Sequence, residues 1–98
     1  MSEDLSLNPV IKLPAILDTR TVGELKTELL AARGQAVSLD ASMVERLGGL
    51  CLQVLLSAIK TWQADGQALI FLNVSEALRE QWQGFGASPE QLVTQDAA

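Results

Sequence analysis

The chain has 98 residues, 48% of them apolar, which is enough for one hydrophobic core and leaves too little surface for a second folded unit. Twelve acidic residues outnumber seven basic ones, giving a formal net charge of -5, so phosphate backbones are repelled and nucleic acid is not an expected partner. With no histidine, Ser-His-Asp, Cys-His and His-metal chemistry are all excluded, and the lone Cys51 has no intramolecular disulfide partner.

The chain opens on polar Ser2, Glu3 and Asp4 and closes on polar Thr94 to Ala98. One domain over 1–98 is therefore expected, with a core of about 8–93 and frayed ends. No basic segment followed by an apolar core marks a signal peptide, and a reducing cytoplasm suits the single thiol. Val10 to Leu17 reads as two short β segments hinged at Pro14, an edge strand or a tight pair, because proline cannot donate within a ladder. Asp18 and Thr19 supply cap oxygens for a first helix over about 19–33, in which Val22, Leu25 and Leu29 recur at helical spacing before Gly34.

Ala36 to Leu39, ending at Asp40, has the short apolar character of a buried central strand. A loop then leads to a second helix over about 48–62, with Gly48 and Gly49 at its mouth and Asp65-Gly66 beyond its end. Only Gln53, Ser57 and Lys60 form a polar stripe on it. Leu50, Val54, Ala58 and Trp62 make one apolar face and Leu52, Leu56 and Ile59 another, which is either core or a docking surface. The apolar run Leu47 to Ile59, broken by Gln53 and Ser57, is well short of the roughly 20 residues that span a bilayer.

Ala68 to Leu72 reads as the next buried strand, Ser75 as the cap of a third helix to Gly84 with Leu78 and Trp82 facing inward, and Ser88-Pro89-Glu90 as a short closing helix. Trp82 is expected in the core, with Trp62 assigned to either core or interface. Alternation of strands and helices implies an α/β fold, with one mixed, mostly parallel sheet of four to five strands and helices packed on it.

Chemistry-bearing residues are few. Cys51 near a helix N-terminus could be a reactive thiol, but with no histidine as base and Leu50, Leu52 and Val54 around it, packing as a small hydrophobe is the stronger reading. Asp40 with Glu45 could hold a cation or a proton, yet beside Arg46 both read better as capping or solvated groups. Gly48-Gly49 lacks the surrounding pattern of a phosphate loop, so close packing or helix entry explains it. No cofactor, metal or catalytic residue is expected.

The segment Val37-Ser-Leu-Asp-Ala-Ser-Met-Val-Glu-Arg-Leu-Gly-Gly-Leu-Cys-Leu-Gln-Val-Leu-Leu56 resembles the signature region of STAS domains, the fold of bacterial anti-sigma factor antagonists. Leu17-Asp18 looks like the family's entry to its first helix, and Val74-Ser75-Glu76-Ala77-Leu78-Arg79 like the start of its third. The stretch from Asp40 to Leu56 looks like a subgroup of small STAS proteins of alpha-proteobacterial chemotaxis operons. In phosphorylation-regulated members an Asp-Ser-Ser/Thr-Gly signature opens the second helix; here Gly48, Gly49, Leu50 and Cys51 stand there, with Leu50 at the acceptor position. The resemblance thus implies a non-catalytic, protein-binding domain without the usual switch. Ser42 and Ser57 are the nearby hydroxyls left for modification. It also implies a partner surface of Glu45, Arg46, Leu47, Gly48, Gly49, Leu50 and Gln53. The expected partner is a chemotaxis-type histidine kinase or response regulator; the alternatives are an anti-sigma factor or a lipid-transport complex of which this chain is the STAS subunit.

Overall fold

A computed structural model describes residues 9–92. The expected frayed ends and the outermost core boundaries, at residues 8 and 93, lie outside the described residues. Strand β1 (Val10–Lys12) runs parallel to β3 (Val37–Asp40), which runs parallel to β5 (Leu69–Leu72), in the order β1-β3-β5. A second parallel ladder joins β2 (Ile16–Leu17) to β4 (Arg46–Leu47). The α/β fold is the expected one; in place of one mixed, mostly parallel sheet, its five strands pair in parallel throughout and divide between two ladders.

Pro14 makes the division. Leu13 donates its N–H to the Asp40 carbonyl at 2.9 Å, the last bond of the first ladder, and Ala15 then accepts from Glu45 and Arg46 at 2.8 and 3.1 Å in the second. The residue between them has no N–H to give to either ladder. So β1 is an edge strand, as one of the two expectations had it, and β2 turns away from it to pair with β4. That strand falls where a loop was expected, and two residues are too few to show a period.

Register explains which side of the first ladder is core. Ile11, Leu39 and Phe71 form one row across the strands, and Leu39 and Phe71 are fully buried. Val10, Ser38 and Ile70 form the adjacent row on the opposite face, where Val10 is 60% exposed. Side chains alternate along a strand, so one face carries the core and the other is left partly open.

Helix α1 (Val22–Ala31) is shorter than the expected 19–33. Asp18 organises a turn ahead of it: its carbonyl accepts from Thr21 and Val22, and its side chain accepts from the Arg20 N–H at 3.0 Å. The expected cap residue is therefore one turn upstream of the helix, whose N-cap is Thr21. Helix α2 (Gly49–Asp65) is longer than the expected 48–62, because nothing interrupts it before Gly66, which adopts φ 72 while Gln67 donates to the Trp62 carbonyl at 3.0 Å. Helix α3 (Glu76–Gly84) starts at the expected cap, with Ser75 Oγ accepting from the Leu78 N–H at 3.0 Å, and a 3-10 turn over Pro89–Gln91 follows.

On α2, Cys51, Leu52, Leu55, Ala58 and Trp62 are buried, and Val54, Leu56 and Ile59 pack against the same core. On the second apolar face Leu52 is thus core, with Leu56 and Ile59 half-buried against it. Trp62 is core as well, its indole donating to the Gln35 carbonyl at 2.8 Å. Trp82 meets Phe71 edge to face, with ring centroids 6.0 Å apart, and donates to the Ser88 carbonyl at 2.9 Å. Replacing Leu39 by Ala should lower stability by about 2–5 kcal/mol, while Val10→Thr on the open row should change it by less than about 0.5 kcal/mol. Urea melts of both variants check this; equal losses would mean that both faces are core.

Candidate functional site at the entrance of helix α2

The residues between β3 and α2 are held in place from several sides. On one side β4 pairs with β2, and Gly48 donates to the Leu17 carbonyl at 2.7 Å. On the other, the Gln81 carboxamide of α3 accepts from the Leu47 N–H and donates to the Glu45 carbonyl, both at 2.7 Å. Ser75 adds a third tie, donating its hydroxyl to the Val44 carbonyl at 2.6 Å. Backbone groups of a short strand that a neighbouring strand would satisfy are satisfied by α3 instead.

This frame presents the residues expected to meet a partner. Glu45, Arg46, Gly49, Leu50 and Gln53 are exposed, and Leu50 is 56% exposed on the first turn of α2. Leu47 is buried and belongs to the core, so its side chain is not on the surface; only its backbone reaches the site. Gly48 is half-buried, and a Cβ there would lie 3.1 Å from the Leu17 carbonyl oxygen, which is why the helix can begin so close to β2. Glycine at this position serves close packing and helix entry.

Three further residues complete the surface and were not legible beforehand. Asp18 and Thr19, from the turn before α1, line a shallow depression with Gly48, Gly49, Leu50 and Gln53. Phe85, just past α3, is 50% exposed, and its ring edge lies 3.9 Å from where a Gly49 Cβ would be. In sequence Phe85 reads only as the residue after a helix; its proximity to Gly49 comes from α3 being bound to β4. Leu50 and Phe85 thus put two exposed apolar side chains around one glycine.

The other chemical candidates take structural roles. Cys51 is fully buried and its thiol donates to the Asp18 carbonyl at 3.4 Å. Burial pushes the thiol above its ordinary pKa, and the nearby Asp18 charge pushes it the same way against a hydrogen bond from Thr21. Asp40 accepts from the Ser42 N–H at 3.0 Å, which holds its carboxyl below the usual range, with Lys12 alongside across the ladder. That bond closes a local turn at the end of β3, and Glu45 contributes its carbonyl to Gln81. Ser42 and Ser57 are both exposed.

A family model described as "Mlab, STAS domain" matches residues 1–93. The chain belongs to this STAS family. Among curated proteins none matches it. STAS domains are generally non-catalytic modules that mediate protein–protein interaction. No helix among the described residues is long and apolar enough to cross a membrane.

Gly48 and Gly49 separate packing from surface. Gly48→Ala should destabilise the domain by about 1–3 kcal/mol, because a backbone carbonyl must move. Gly49→Ala should stabilise it by up to about 1 kcal/mol, as alanine is the better helix former and the Phe85 contact is an ordinary one. Thermal melts of the two variants decide; losses of equal size would mean that Gly49 also fills a packing constraint.

Proposed function

We propose that this STAS domain is a non-catalytic adaptor that docks a signalling protein, a chemotaxis-type histidine kinase or response regulator, through the entrance of α2. The observation that carries the reading is Leu50. By its resemblance to phosphorylation-regulated STAS domains it takes the place of the phosphate acceptor, it is exposed on the first turn of the helix, and the depression beside it is walled by residues of two chain segments. A phosphate at a helix N-terminus is stabilised by free amides and by the dipole, and leucine has no oxygen to receive one. No hydroxyl lies anywhere from Gly48 to Gln53, so docking here is constitutive. The kinase-type partner follows from the resemblance of the Asp40 to Leu56 segment to chemotaxis-operon STAS proteins.

The test begins with a photo-cross-linking amino acid at exposed Thr19, which leaves Leu50 intact, in cells of the native organism. The captured protein is then titrated with wild type and with Leu50→Asp. The carboxylate is stabilised by the helix N-terminus in the free domain and desolvated in an apolar interface, where it costs roughly 2–5 kcal/mol, about thirty-fold or more in affinity. Thermal melts should remain unchanged. Capture of an anti-sigma factor or a transport ATPase would replace the kinase as partner, and unaltered affinity would remove Leu50 from the interface.

A further inference from the structure

Helices α1 and α2 do not close fully on one another along their outer sides. Between them runs an open groove of 410 Å³ with Leu30, Val54 and Ala58 among its walls. Leu30 is 67% exposed, the most exposed large apolar side chain described. The groove is apolar, yet its two charged lining residues, Lys26 and Arg33, are both cations, and no carboxylate lines it. With the Asp65 carboxylate paired to Arg33 counted, the groove still carries a net positive charge through Lys26, against the average of a chain with twelve acidic residues and seven basic ones. Arg33 uses Nε and one terminal nitrogen on Asp65, at 3.0 and 3.3 Å, which fixes it at the groove's end with guanidinium N–H groups left to donate.

Gln53 lines both this groove and the depression at Leu50. The two therefore adjoin at Gln53, and from Leu50 to Thr61 the α2 side runs about 16 Å, or about three helical turns. We infer that the partner surface continues from Leu50 into the α1–α2 groove, and that its occupant is an acidic amphipathic helix of the protein partner. The apolar face of that helix lies against Leu30 and Val54, while its carboxylates meet Lys26 and Arg33. A groove of this length along two helices suits an occupant with apolar residues at i, i+3 or i+4, and i+7. Ser57 and Gln53, both exposed, offer hydrogen bonds on the α2 side.

This inference rests on the proposed docking function, and the experiment keeps the two apart. A photo-cross-linking residue is placed at Ser57 in one chain and at Thr19 in another, and the cross-linked peptides are mapped by mass spectrometry. Both positions should capture the same protein, and the Ser57 site should map to a segment rich in Asp and Glu with helical apolar spacing. Lys26→Glu should lower the Ser57 yield at least five-fold, Lys26→Arg should preserve it, and the melting temperature of both should stay at the wild-type value. Capture from Thr19 alone would overturn the groove and leave the docking function standing. A second copy of this chain, or a segment without acidic residues, at Ser57 would also overturn it. Capture from neither position would remove both readings.

Discussion

A strand of two residues cannot hold its place by its own ladder, yet β4 stands between the central strand and the helix that carries the candidate site. Its position depends on the Gln81 carboxamide, which offers one acceptor and one donor to Leu47 and Glu45 in the pattern of a neighbouring strand's peptide group. With β2 on the other side, each edge of β4 is satisfied, and the route from β3 to α2 is fixed. Ser75 extends the same arrangement to Val44 while also capping α3. Helix α3 therefore does more than cover the sheet, since its polar side chains set where α2 begins. Phe85 reaches Gly49 as a consequence.

Much of the fold was legible because its elements follow local rules. Leu25 and Leu29, Leu78 and Trp82, and the glycines at 34 and 66 each announce a helix or its end through spacing or backbone conformation. Val37 to Leu39 and Leu69 to Phe71 announce buried strands through apolar character. What local rules could not reveal was anything made by long-range pairing. Strand β4 exists because Ala15 and Gln81 lie on either side of it, and nothing in Arg46-Leu47 itself signals a strand. The start of α1 was misplaced for a related reason: Asp18 does bond as a turn residue, but its bonds close a turn before the helix rather than the helix itself.

The candidate site divides along the same line. The resemblance to STAS domains pointed to Leu50, Gly49 and Gln53 at the helix start, and the fold leaves all three exposed there. Periodicity could not tell whether the Leu52, Leu56 and Ile59 face was core, since a helix that is apolar nearly all round presents no contrast. The fold packs that side against the core, leaving Gln53, Ser57 and Lys60 outside with Leu50. Asp18, Thr19 and Phe85 come from segments distant in sequence and were beyond local reading.

Leu50 is then the one exposed large apolar side chain of α2. Packing does not require leucine there, because more than half of its surface is in water while the core is filled by Cys51, Leu52 and Leu55. Helix propensity does not require it either, since glutamine and glutamate are nearly as favourable. Electrostatics would prefer an acidic residue on the first turn, next to the positive end of the dipole, and α2 has none. Each term that stabilises the free domain is thus neutral toward leucine or favours another residue. The side chain gains by burial only when a second surface covers it, and Phe85, held beside the same glycine by α3, extends the apolar area that such a surface would cover.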